Sequence, residues 1–132
     1  MRVAILIIMF MTPAWGETFD QLVERGGIYY KKNSEASFNG KIEGLEEGFF
    51  VNGMKEGLWI TYYKTGTPLQ EATYKHGVLE GTFKAYQHNG RLRSNGSYKN
   101  GRRFGVWTTY KNDGSVWEIL SGTYENGIAI SD

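Results

Sequence analysis

A four-residue corner that recurs four times at near-constant spacing constrains this chain more than any other feature. Phe50-Val51-Asn52-Gly53, Tyr74-Lys75-His76-Gly77, Tyr98-Lys99-Asn100-Gly101 and Tyr124-Glu125-Asn126-Gly127 align, and their final glycines are 24, 24 and 26 residues apart. After each of the first three, a second glycine follows four residues on, at Gly57, Gly81 and Gly105. An aromatic pair comes next: Trp59 and Tyr62, Phe83 and Tyr86, Trp107 and Tyr110. A third glycine closes each unit at Gly66, Gly90 and Gly114. Glycine and aromatic residues at fixed offsets over such a period mark a repeat architecture, in which one small unit stacks on copies of itself.

The unit follows from Gly90 to Gly101. Leu92, Ser94, Gly96 and Tyr98 alternate with Arg91, Arg93, Asn95 and Ser97, a period of two that predicts a strand with the first set on one face and both arginines pointing away from it. Phe83 to Tyr86 is a second short aromatic run, and Gln87-His88-Asn89-Gly90 carries the turn chemistry that joins the two, so each unit is a β-hairpin. A lone hairpin cannot bury its apolar face, so successive hairpins must stack and share a continuous aromatic ladder. Gly114 to Tyr124 is two residues longer than Gly90 to Tyr98. An even insertion keeps Val116, Leu120, Gly122 and Tyr124 on one face, whereas a single extra residue would invert that face.

The unit Gly105-Val106-Trp107-Thr108-Thr109-Tyr110, preceded by the corner Tyr98-Lys99-Asn100-Gly101, resembles the MORN repeat, specifically its bacterial variant. The resemblance covers roughly Gly53 to Gly127, and Gly27 to Asn52 is similar to a degenerate first copy. It implies an all-β fold: an elongated, twisted single antiparallel sheet of stacked β-hairpin MORN-like repeats. It also implies a binding or scaffolding role with no chemistry of its own, and some bacterial relatives are labelled antitoxins of toxin–antitoxin systems. The domain plan is a signal peptide over residues 1–16, an N-terminal cap with the degenerate first repeat over 17–52, and MORN-like repeats over 53–132.

Residues 1–16 stand apart from the repeats. Arg2 supplies a positive start, Val3 to Met11 is apolar, and Ala14-Trp15-Gly16 offers small residues for a signal peptidase, the pattern of a cleaved secretory signal. The apolar run is about half the ~20 residues a spanning helix needs. The expectation is an exported chain, periplasmic or secreted after cleavage near Gly16, with no transmembrane anchor afterwards. Thr18 to Arg25 predicts a short helical turn capped by Thr18 and Gln21, ended by Gly26-Gly27 and covering one end of the stack. Ile128 to Ile130 predicts a closing strand.

Chemistry finds little purchase. The chain has 15 basic and 14 acidic side chains, and Arg2 lies in the signal segment, so the two balance from Glu17 onward. That balance argues against bulk binding of nucleic acid. The absence of cysteine excludes disulfides, a thiol nucleophile, a cysteine zinc site and a lipobox. His76 and His88 both sit in turns, and no paired-histidine or acidic metal motif occurs. No serine or threonine stands in a nucleophile motif. Glu43, Glu46, Glu47, Glu56, Glu71 and Glu80 read as a solvated loop and strand edges. Catalytic residues, metal ligands and cofactors are not expected.

Binding is the remaining class, with two sets of candidates. Arg91, Arg93, Lys99, Arg102 and Arg103 predict a compact positive patch suited to an unknown protein or an anionic envelope component. Trp59, Tyr62, Phe83, Tyr86, Trp107 and Tyr110 form the ladder. Its Trp or Phe and its Tyr are an odd three residues apart, so they face opposite sides and one aromatic row is left to bind a partner. Two functions follow: an exported binding or scaffold module for a macromolecular partner, or an antitoxin-like or immunity-like protein that neutralises a partner toxin.

Overall fold

The computed structural model describes residues 16–130, so the expected signal peptide over residues 1–16 lies outside the described residues apart from Gly16. A hairpin of β1 (Leu22–Arg25) and β2 (Ile28–Lys31) precedes a nine-stranded sheet. The sheet runs through β3 (Gly40–Ile42), β4 (Glu46–Val51), β5 (Met54–Tyr62), β6 (Pro68–Lys75), β7 (Val78–Tyr86), β8 (Leu92–Lys99), β9 (Arg102–Thr109), β10 (Gly122–Glu125) and β11 (Ile128–Ile130). Each strand pairs antiparallel with its sequence neighbour, so the sheet is an open meander. The fold is all-β, and the expected closing strand is β11.

The corners set this topology. Asn52, His76, Asn100 and Asn126 have φ of 51, 50, 50 and 51°, and each precedes a glycine at 73 to 81°. Two consecutive left-handed residues make the type I′ turn, whose twist matches that of the strands it joins. Each corner is also tied to the hairpin before it: the N–H groups of Gly77, Gly101 and Gly127 donate to the carbonyls of Lys55, Leu79 and Arg103, all at 2.9 Å. At the opposite edge, Gln87 N–H donates to Arg91 O at 2.8 Å and Gly90 N–H to Gln87 O at 2.9 Å, and Lys111 to Ser115 repeats the pattern.

Three local expectations are corrected. Of the stretch from Thr18 to Arg25 only Phe19–Gln21 is helical, as one 3-10 turn in which Thr18 N–H donates to Gln21 Oε1 at 2.9 Å. Leu22–Arg25 is a strand, because Gly26 and Gly27, at φ 60 and 82°, close a hairpin onto β2 rather than cap a helix. In β8 the pairing steps from Ala85–Ser94 to Tyr86–Leu92, leaving Arg93 as a bulge residue and moving Leu92 off the face of Ser94. The insertion after Gly114 is a 3-10 turn, Glu118–Leu120, rather than continuous strand. Even so, Gly122 pairs with Trp107 and Tyr124 with Gly105, the face an even insertion preserves.

The amino-terminal layer lies on a sheet face as well as at its end. Leu22 and Phe38 join Ile42, Phe50 and Trp59 in one buried cluster, with Phe19, Tyr29 and Tyr74 packed against it. Phe19 touches Phe50 and Trp59 edge-on at 5.9 and 5.8 Å. That layer covers the Phe50–Trp59–Tyr74 half of the face. Further along, Phe83, Tyr98 and Trp107 form a second cluster, with centroids 5.1 to 5.5 Å apart.

Candidate functional site

Trp59, Ala72, Phe83 and Gly96 are successive cross-strand partners, and Trp107 pairs with Gly122 in the same row. Large residues alternate with small ones because the rings fold across the neighbouring strand. A Cβ on Gly48 would stand 2.3 Å from Trp59 Cδ2, and one on Gly96 2.3 Å from Trp107 Cδ2. Neither glycine has a left-handed φ, so the requirement is space. Trp107 is 1% exposed and its indole N–H donates to Ser97 O at 2.9 Å. A cation covers each indole: Lys55 Nζ is 4.2 Å from the Trp59 ring, and Arg103 Cζ is 4.4 Å from Trp107 and 5.3 Å from Tyr124.

Tyr62 and Tyr86 face the other way, as their odd spacing predicts, but they do not form the expected exposed row. Tyr62 O–H donates to Glu47 and Tyr86 O–H to Glu71, both at 3.1 Å, and both rings are half-buried. Burial first, then the carboxylate partner, raises the pKa of each phenol above its ordinary value. The exposed apolar residues on that face include Phe49, Leu58, Phe104 and Val106, interspersed with Thr73, Thr82 and Lys84. Tyr110 follows neither sister, since its strand bends at a bridge to Val116.

A concavity lies at the far end of the covered-face row. It is a cleft of about 820 Å3, bordered by Arg93, Ser94, Arg103, Thr109, Tyr110, Lys111, Asn112, Trp117, Leu120 and Tyr124, with no acid among the described residues of its wall. Sequence reasoning missed Lys111, Trp117 and Tyr124 as site residues, because only the 3-10 turn of the insertion brings Trp117 and Leu120 over the sheet. Arg103 is held by its place over two rings and by a hydrogen bond to Tyr124 Oη at 3.4 Å.

The five basic candidates therefore divide. Arg93 and Arg103 share the cleft, Arg93 entering as the bulge residue rather than pointing away. Lys99 and Arg102 pair at the other end of β8, some ~20 Å along the strand from Arg93 at the usual rise, and Lys99 Nζ sits 5.1 Å over the Phe104 ring. Arg91 reaches toward the Gly114 turn. No ion pair involves any of the five among the described residues.

Residues 55–76 and 79–100 each match the family model of the MORN repeat variant. The chain carries MORN repeats of this variant. No curated protein matches it. MORN repeats are in general binding or scaffold modules and typically non-catalytic.

Comparing the MORN copies at their 24-residue offset shows that acids are lost toward the last one. Glu46, Gln70 and Ser94 are equivalent, as are Glu47, Glu71 and Asn95, and Glu56, Glu80 and Phe104. Each acid does structural work in the early copies, against the expectation of a merely solvated edge. Glu46 binds Lys55 Nζ at 3.2 Å. Glu47 and Glu71 receive the tyrosine hydroxyls, while Glu56 and Glu80 accept the corner N–H of His76 and Asn100 at 2.8 and 2.6 Å. In the last copy all three positions are neutral, and Asn95 Oδ1 is buried without a donor. Arg103 keeps the cation of Lys55 but has lost its counter-acid, while Arg93 and Lys111 stand where Leu69 and Gln87 stood.

Both histidines have structural places. His76 forms a corner, and His88 stacks on Tyr63 with centroids 3.8 Å apart. Among the described residues no group of three or more His, Asp or Glu could hold a metal ion, and no helix is long and apolar enough to cross a membrane.

Proposed function

We propose that this MORN-repeat chain is an exported, non-catalytic binding module that holds a macromolecular partner through the basic surface of its last repeats. The observation that supports this reading is the graded loss of acids along the repeats. Between Arg91 and Ile130, Arg91, Arg93, Lys99, Arg102, Arg103 and Lys111 stand against only Asp113, Glu118 and Glu125. Cations without counter-ions on a rigid sheet raise the local concentration of an anionic partner and orient it. The balanced charge of the whole chain fits a local patch better than a general polyanion binder. Export rests on the signal-like residues 1–16, and the partner is then an acidic protein or anionic component of the cell envelope.

The test is affinity capture from the envelope fraction of native cells, compared with an Arg91→Glu, Arg102→Glu variant whose melting temperature is checked first. The expected result is a partner that rebinds as a purified component with fixed stoichiometry, and that the variant holds at least about tenfold more weakly, a loss of roughly 1.4 kcal/mol. Equal capture by both proteins would refute the charge-based reading. The intact mass from fractionated cells tests export: a chain that keeps Met1 and stays in the cytosol refutes it.

A further inference from the structure

The cleft at the carboxy-terminal end carries more than a general positive charge. Its three cations, Arg93, Arg103 and Lys111, come from three different segments: the bulge of β8, the start of β9 and the turn after it. Its rim is apolar and accessible, with Trp117 at 42% and Leu120 at 45% exposure, both carried by the insertion that the earlier repeats lack. Arg103 is held by Trp107 and Tyr124 and makes no ion pair among the described residues, so little side-chain entropy remains to be lost when an anion docks.

We propose that this cleft is a recognition site for an acidic peptide segment carrying an apolar side chain, the carboxylates meeting Arg93, Arg103 and Lys111 and the apolar group lying against Trp117 and Leu120. The proposal deepens the binding-module reading and rests on it. Charge complementarity selects the occupant. The charged groups of the wall are all cations, with no carboxylate among its described residues, so it suits a ligand that brings anionic acceptors. A guanidinium takes a carboxylate in two parallel hydrogen bonds. The size falls within the range of clefts that enclose a drug-sized ligand or a few residues of chain. The aromatic and leucine rim supplies the anchor typical of interface hot spots. Ser94, which stands where Glu46 stands in the first copy, lines the cleft and removes a carboxylate that would repel such a segment.

The probe is acetyl-Glu-Glu-Phe-Glu-Glu-amide, titrated into the full chain and followed by tryptophan fluorescence, with the phenylalanine-to-alanine peptide and the all-lysine counterpart as controls. Saturable binding tighter than about 1 mM is expected for the first peptide only. Trp117→Ala should weaken it at least about fivefold, and Arg93→Glu with Lys111→Glu at least about tenfold, while charge reversal at the exposed Lys32 and Lys75, outside the cleft and the basic patch, leaves it as in the unaltered chain. Trp117, Arg93 and Lys111 are exposed, so these variants retain the fold, and their melting temperatures verify this. Absence of saturable binding, or binding that Trp117→Ala and the Arg93, Lys111 pair leave unchanged, overturns the site. If a captured partner is held equally by the cleft variants but released by Arg91→Glu, Arg102→Glu, the module reading stands and the cleft proposal fails. If the peptide binds at the cleft and no partner is captured, the converse holds.

Discussion

Gly96→Ala tests the packing rule that organises this sheet. The new Cβ would stand 2.3 Å from Trp107 Cδ2, 2.4 Å from Cε2 and 2.6 Å from Cγ, more than 1 Å inside ordinary carbon contact at about 3.5 Å. The indole has little room to retreat. Its N–H is bound to Ser97 O, Arg103 lies over it, and Tyr98 and Phe83 stand 5.1 and 5.5 Å away. Overpacking of this kind costs about 1–3 kcal/mol, offset by roughly 0.4–1 kcal/mol from the stiffer unfolded chain. A net loss of about 1.5 kcal/mol corresponds to a melting temperature lower by some 6 °C for a domain of this size. Gly122→Ala is the matched control: Gly122 is the other cross-strand partner of Trp107, but a Cβ there meets nothing within 4 Å. It should be neutral or slightly stabilising. Adding Trp107→Phe to Gly96→Ala recreates the Ala72–Phe83 pair of the middle repeat, so the double variant should cost at least about 1 kcal/mol less than the two single losses added together. The assay is thermal or urea unfolding followed by circular dichroism. Equal melting temperatures for Gly96→Ala and Gly122→Ala, or strict additivity in the double variant, would refute the account.

Glu80→Ala removes the acceptor of the Asn100 corner N–H and should lower stability by about 0.5–1.5 kcal/mol, with faster amide exchange at Asn100; unchanged exchange would mean the bond contributes nothing. Alkaline pH should weaken the fold through Tyr29, Tyr62, Tyr74 and Tyr86, whose pKa values are all raised in the folded chain, by burial first. Folding favours the protonated phenol, so this stability is complete below about pH 10 and is lost as pH rises through the folded-state values. Melting temperatures measured across about pH 8 to 11 should fall at the upper end, and fall less for Tyr62→Phe with Tyr86→Phe; a flat profile would remove the tyrosines from the argument.

Much of the architecture was legible in the sequence by itself. Local chemistry dictates the corners: an Asn or His before glycine at fixed spacing has one economical conformation, the type I′ turn, and four such turns require a meander of hairpins. Period-two alternation then assigns Trp59 and Tyr62, and Phe83 and Tyr86, to opposite faces without any knowledge of the partners. The strand at Leu22–Arg25 was not legible, because the capping residues Thr18 and Gln21 describe only one turn, and the pairing of β1 with β2 decides the rest. The bulge at Arg93 was also hidden, since it arises from a register mismatch between two strands. Gly48 and Gly96 look like ordinary strand glycines until an indole from the next strand is placed over them. The cleft belongs wholly to tertiary structure: Arg93, Arg103, Lys111 and Trp117 are scattered over 25 residues and meet only because the sheet registers its strands and the insertion folds back across them. Sequence periodicity thus determined the repeat and its two faces, whereas long-range register decided which side chains share a surface.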